Sequence, residues 1–285
     1  IDKSKAVLKN ENRGLLYLWM KEVIGIVKPK VFIAENVKGL VSLGDVKTVI
    51  ENDFRKIDKN GYLVIPARVL HSADFGVPQN RERVFFIGLN KRFLKKDALN
   101  SLKSPNVNPN FDPYPSPTHK KSNNYGLLNF EQINALEPYV TLKLAFKGLK
   151  EPSEETKDLS QIALSKAKYY GKMQGNTEIK LDDIGPTIRS EHHGNIEFRR
   201  LSKINGGVIC SELDMGLPER RLTVRECARI QTFPDDYQFV LDKSKTSINV
   251  SPSSAYKLIG NAVPPLLAYN IAKRLEMIWE NLFMA

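Results

Sequence analysis

Apolar positions along the first ninety residues recur with alternating helical and strand periods. From Arg13 to Val27 the residues Leu15, Leu16, Trp19, Val23, Ile26 and Val27 return at helical spacing, and Pro29 ends the run. VFIAENV (31–37) follows as a continuous apolar stretch that turns polar at its end. That pattern predicts a buried parallel strand covered on both faces. A second helix is predicted from an N-cap at Asp45, with Val46, Val49, Ile50, Phe54 and Ile57 on one face and Gly61 closing it. YLVIPARVL (62–70) and RVFFIGL (83–89) read as strands joined by a polar loop. No crossover helix separates them, so they are predicted to pair antiparallel at a sheet edge. Helix, strand, helix, strand is the order of an α/β domain.

The pattern weakens after Lys91. SLKSPNVNPNFDPYPSPTHKKSNN, rich in Pro, Asn, Ser and Lys, marks a linker at 93–125, and 126–217 reads as a smaller irregular domain. Regular helices return from Pro218. Thr223 and Glu226 form a T-x-x-E capping box, with Leu222 and Cys227 placed as its hydrophobic staple. SPSSAYKLIG then predicts a helix that Gly260 ends in left-handed geometry, leaving Asn261 in a tight turn. A last helix starts at Pro264-Pro265 and buries Leu267, Ile271, Leu275 and Ile278.

Composition narrows the class. With 41% hydrophobic and 26% charged residues, the 285-residue chain is that of a globular protein, and no apolar run reaches membrane-spanning length. Its two cysteines, Cys210 and Cys227, provide neither a disulfide framework nor metal-ligand spacing, which fits a reduced, cytoplasmic setting and no metal. The pair His192-His193 has no third ligand spaced nearby. A net charge of +11 points to a polyanionic partner or to a merely basic enzyme. Arg220, Arg221, Arg225 and Arg229 crowd a helix N-terminus, where the helix dipole disfavours cations. Phosphate contact or a buried ion pair with Glu226 would account for some of them.

Three further segments can each be read as chemistry or as structure alone, the bland alternatives being a structural Glu, a solvated edge-strand charge pair with Glu82 and a plain Gly-Asn turn. Glu35 lies at the carboxyl end of its strand, where α/β sheets place ligands. Arg81 and Arg83 of QNRER alternate as a loop enters a strand, which predicts both guanidiniums on one side. GNAVPP (260–265) offers an amide and free backbone beside a helix end.

The order ENV, QNRERVFFIG, RRLTVRECARIQTFPDDY, IGNAVPP resembles the C-terminal two-thirds of DNA cytosine-C5 methyltransferases, from about Arg13 to Leu275. The resemblance implies part of a Rossmann-like S-adenosylmethionine-dependent methyltransferase sheet (1–92), the linker, a target-recognition domain (126–217) and C-terminal helices returning to the core (218–285). It further implies that a cysteine thiolate attacks C6 of a flipped cytosine in double-stranded DNA while Glu35 engages N3. Arg83 would fix the cytosine O2, Arg81 would lie nearer the DNA backbone, and Asn261, Ala262 and Val263 would close on S-adenosylmethionine. Lys172, Gln174, Thr187 and Arg189 would contact the DNA groove. Arg225 and Glu226 would support the recognition domain, with Arg225 also among the DNA-side residues. The family's glycine-rich donor-binding segment and its Pro-Cys nucleophile do not occur in these residues. A complementary N-terminal part is therefore expected as partner, with the chain inactive alone and a restriction-modification system as its setting. The alternative is a catalytically inactive, sequence-specific DNA-binding relic. An RNA substrate fits the long basic recognition segment less well.

Overall fold

The computed structural model describes residues 16–121, 136–152, 155–173, 175–190, 196–241 and 250–284; the side chain of Cys210 is not described. Leu15, Gln174, His192 and His193 lie outside the described residues. The chain divides into two units. The first comprises 1–71, 82–116 and 269–285, and the second 72–81 and 117–268. The second unit therefore takes in residues 72–81 and most of the segment expected to return to the core.

The first unit is built on β1 (Val31–Val37), β2 (Tyr62–His71) and β3 (Glu82–Asn90), in the order β1-β3-β2. Both pairings are antiparallel, with Glu35 opposite Phe85 and Val69 opposite Val84. The pairing expected for the last two strands is present. The parallel, doubly covered strand expected at 31–37 is not: β1 is antiparallel to β3, and only Phe32 of its residues is buried. An apolar run reports burial but not strand direction, which the connections set. Gly88 faces Phe32 across the ladder, where a Cβ would lie 2.0 Å from the aromatic ring, so glycine lets the ring cross the strand.

Helices α1 (Leu16–Val27) and α2 (Val46–Arg55) accompany this sheet. Ile24, Phe32, Ile50, Phe54, Tyr62, Val84 and Phe86 form its core. Asp45 occupies the N-cap of α2 but makes no side-chain capping bond. Helix α1 turns a different face inward than its periodicity predicts: Ile24 is buried, Tyr17 meets Phe54 edge-on, and Leu16, Trp19, Val23, Ile26 and Val27 are exposed. The expected linker contains α3 (Lys96–Lys103), which buries Ala98 and Leu102. Tyr114 beyond it donates to the Phe85 carbonyl at 2.7 Å.

The second unit has little regular structure. The short strands β4 (His119–Lys120) and β5 (Glu137–Pro138) pair, as do β6 (Phe198–Arg200) and β7 (Arg220–Arg221). Single turns α4 (Leu142–Ala145), α5 (Leu159–Ile162) and α6 (Cys210–Asp214) precede α7 (Val224–Ile230) and α8 (Pro252–Asn261). Its core gathers Leu142, Ile188, Leu222, Val224, Cys227, Ala255, Tyr256 and Ile259. The capping box forms as predicted: Glu226 N donates to Thr223 Oγ1 at 3.0 Å, and Thr223 N donates to Glu226 Oε2 at 2.8 Å. The final helix, α9 (Pro265–Leu282), belongs to the first unit from Tyr269 onward and buries Leu267, Ile271, Leu275 and Ile278 as its spacing predicts.

Candidate active-site pair and donor-side turn

In the first unit, Glu35 and Arg83 form an ion pair, Nε to Oε1 at 2.9 Å. The ladder explains it. Arg83 is opposite Val37 and Glu35 is opposite Phe85, so the two side chains stand diagonally on one face of the sheet. Both are about four-fifths buried, and Arg83 also donates to the Glu82 carbonyl at 2.9 Å. A carboxyl group and a guanidinium side by side present one acceptor-or-donor and one obligate donor edge.

Arg81, expected beside Arg83 and toward the DNA backbone, goes elsewhere. Alternation holds only within a strand, and β3 begins at Glu82. Arg81 is 1% exposed, and its guanidinium donates to Ile188 O at 3.2 Å, Gly260 O at 2.9 Å and Ala262 O at 3.0 Å. This arginine is an internal brace of the second unit rather than a phosphate contact. The loop 71–82 is correspondingly no polar surface loop: Phe75, Val77 and Gln79 are buried in it.

Arg81 holds the turn at Asn261, Ala262 and Val263. Gln231, the C-cap of α7, donates a second bond to Ala262 O at 2.6 Å, and Gln79 donates to Gln231 Oε1 at 2.5 Å. These two glutamines were not singled out from sequence. A Gln where an apolar helix ends, in RIQTFP, is the signal that points to Gln231. Asn261 is exposed, while Ala262 and Val263 are half-buried. Gly260 does not end the helix in left-handed geometry. It lies inside α8, and its role is close approach: a Cβ there would sit 2.5 Å from Ser190 N and 2.6 Å from the Arg189 carbonyl carbon. Gly260 thus meets the backbone of Arg189–Ser190 within the second unit, and Arg81 bridges Ile188 to Gly260 and Ala262. Thr187 gives its hydroxyl to Asn80 O and Arg189 is half-buried, whereas Lys172 is exposed.

The arginine cluster is paired within the chain, and all of it but half-buried Arg229 is buried. Arg220 pairs with Glu226 at 2.8 Å and with Glu151 at 3.0 Å. Arg229 pairs with Asp235 at 2.6 Å. Arg225, read as a DNA-side residue, is 2% exposed and binds Asp158 at 2.5 Å, with further bonds to the carbonyls of Pro234 and Tyr237. These bonds suit the supporting role also expected of it, and they engage its donors within the second unit. Although burial opposes ionisation of Glu151, hydrogen bonds from Arg200 and Arg220 pull its carboxyl down to about 2. Cys227 is fully buried, and burial pushes its thiol well above the ordinary range. No cluster of metal-binding side chains occurs among the described residues. None of the described helices is long and apolar enough to cross a membrane.

The fold is shared with solved methyltransferases. The S. pombe Dnmt2 methyltransferase superposes at a TM-score of 0.51 with 14% identity, covering 96% of this chain and 74% of that one. The Entamoeba histolytica methyltransferase EhMeth gives 0.51 at 16%, covering 98% and 72%. More narrowly, the chain belongs to the C-5 cytosine-specific DNA methylase family, whose model matches residues 4–277. It is 33% identical over 276 residues to the type II methyltransferase M.BsuRI of Bacillus subtilis, covering 93% of this chain and 53% of that protein. It is likewise 33% identical over 277 residues to M.BspRI of Lysinibacillus sphaericus, covering 93% and 55%. The chain spans about half the length of these curated relatives.

Proposed function

We propose that the chain is the part of a DNA (cytosine-5)-methyltransferase that grips the target cytosine, recognises the duplex and closes on the methyl donor. A complementary N-terminal part supplies the nucleophilic cysteine. The observation that carries this reading is the Glu35–Arg83 pair at the end of β1. Cytosine carries N3 and O2 on neighbouring ring atoms. In its protonated form Glu35 donates to N3, while Arg83, an obligate donor, holds O2. As the thiolate forms its bond to C6, the proton of Glu35 passes to N3, and the ring carries the added electron density toward C5.

S-adenosylmethionine would supply the methyl group. The turn at Asn261–Val263 fits one wall of a donor site: Arg81 and Gln231 fix its backbone, leaving the Asn261 side chain outward beside half-buried Val263. Lys172, Thr187 and Arg189 serve the DNA side.

The one described thiol, that of Cys227, supports a partner for the chemistry. Cys227 is inaccessible and held neutral by burial, the opposite of an activated nucleophile. The apolar face of α1 that stays exposed among the described residues, with Trp19 73% and Ile26 79% exposed, is the surface on which the complementary part would dock.

The test is methyl transfer from labelled S-adenosylmethionine to duplex DNA. The chain alone is expected to transfer nothing and the reconstituted pair to be active. Glu35→Gln should cut the pair's rate by about 100-fold or more with DNA affinity kept. Clear methylation by the chain alone sinks the need for a partner, and an unaffected Glu35→Gln rate sinks the role of Glu35.

A further inference from the structure

Arg221 is 1% exposed and takes no part in the functions assigned above. Its guanidinium ends on oxygens of neutral carbonyl groups from three chain segments. Nε donates to Ala167 O at 2.7 Å, and Nη2 to Lys168 O at 3.2 Å and Asn176 Oδ1 at 2.8 Å. Nη1 donates to Gly175 O at 2.8 Å and to Ile196 O. The planar group also lies 4.0 Å over the Phe198 ring, and Tyr169 meets that ring edge-on at 6.3 Å. One cation therefore joins the segment entering a loop, Ala167–Lys168, to the segment leaving it, Gly175–Asn176.

The loop between them is closed a second time by Asn176, whose side chain donates to Gly171 O and whose N–H donates to Met173 O at 3.0 Å. Gly171 and Gly175 have φ of 115° and 76°, values that suit glycine. What this frame presents outward is unusual for a solvated loop. Tyr170 is 52% and Met173 60% exposed, and Lys166, Lys168 and Lys172 are exposed around them. No acidic residue occurs from Ser165 through Thr177. Flat or polarisable apolar side chains ringed by cations match a polyanion whose interior is a stack of aromatic rings.

We propose that Arg221 is a positioning residue for sequence recognition. It holds Tyr169–Met173 in one shape, in which Tyr170 and Met173 pack against bases of a DNA duplex while Lys166, Lys168 and Lys172 meet its phosphates. This rests on the DNA reading given above. Only arginine suits the position, because a lysine is a compact charge with three donors and cannot span acceptors spread over three segments.

The test uses the full chain with Arg221→Lys, Tyr170→Ala and Met173→Ala. Without DNA, Arg221→Lys should raise the rate of trypsin cleavage after Lys172 about tenfold, with cleavage elsewhere unchanged, as local opening of the loop requires. With DNA, the readout is the ratio of affinity for duplexes selected from a random pool to affinity for the unselected pool. Each of the three variants should lower that ratio about tenfold, the usual cost of losing one base contact. Tyr170→Ala and Met173→Ala change exposed side chains, so they remain informative if Arg221→Lys fails to fold. Unchanged cleavage in Arg221→Lys overturns its positioning role. Unchanged ratios in both tip variants overturn the assignment of the tip. A wild-type chain that shows protected cleavage yet binds no duplex, or prefers single strands, refutes the duplex-DNA reading itself and with it the partner named here.

Discussion

The two units of this chain are stabilised by different chemistry. In the first, a three-stranded sheet packs Phe32, Phe54, Tyr62 and Phe86 against one another, and its described arginines stay at least partly exposed. In the second, regular structure is short, and Arg81, Arg200, Arg220, Arg221 and Arg225 are each at most 8% exposed. A sheet satisfies its backbone carbonyls by its own ladder. A chain of loops has no ladder, and long planar cations with five donors reach the carbonyls that remain. The lesson concerns charge. A net +11 reads as a surface for polyanions, yet a share of it lies inside the second unit as mortar.

The comparison breaks most sharply at Arg220. Arg220→Ala leaves Glu226 buried and Glu151 short of a partner, and should destabilise the second unit by about 3–5 kcal/mol in denaturant unfolding. Phe54→Ala in the first unit should cost about 3–5 kcal/mol through a cavity. Equal costs by unequal routes would bear out the contrast. A loss under about 1 kcal/mol for Arg220→Ala would show that the second unit does not depend on its buried ion pairs.

Arg225 gives the next largest effect. Removing its bonds to Asp158, Pro234 and Tyr237 with Arg225→Ala should cost about 1.5–3 kcal/mol, the range for hydrogen bonds to charged groups. Below the melting temperature of the variant, its DNA affinity should match the parent. A loss of affinity in a folded variant would restore Arg225 to the DNA side.

Acid should separate the units without mutation. Glu151 falls from an ordinary value of 4.5 to about 2 in the folded chain because Arg200 and Arg220 outweigh its burial. A depressed carboxylate contributes stability that is complete above 4.5 and is lost as pH falls toward 2. The second unit should therefore loosen first between these values. Fluorescence or hydrogen exchange that reports both units opening together would contradict this.

What was legible in the sequence divides along the same line. Strands 62–71 and 82–90, the Thr223–Glu226 capping box and the buried stripe of α9 were readable, because their side chains obey a local period or a local bond. The Glu35–Arg83 pair was readable as two residues, but its contact comes from the antiparallel register, which no local pattern states. Arg81 escapes the alternation because it lies one residue before the strand begins. Gly260 carries its meaning in the backbone of Arg189 and Ser190, seventy positions earlier, and a glycine looks the same in a turn and in a close approach. The inward face of α1 is not legible because the helix is apolar on more than one side, and periodicity does not say which side meets the sheet.

The smallest effect on stability is expected where the charge is free to act outside the fold. Lys172 is exposed at the tip of its loop, and Lys172→Ala should change unfolding by no more than about 0.5 kcal/mol. Its consequence lies in binding. If Lys172 neutralises one phosphate, the slope of log affinity against log salt should fall by about 1, nearly uniformly across DNA sequences. A buried arginine would give the reverse pattern, a stability loss with no change in slope. Measuring both quantities for Lys172→Ala and Arg225→Ala side by side therefore sorts the chain's positive charge into the part that builds the protein and the part that meets its partner. A Lys172→Ala variant with an unchanged salt slope would remove this residue from the second group.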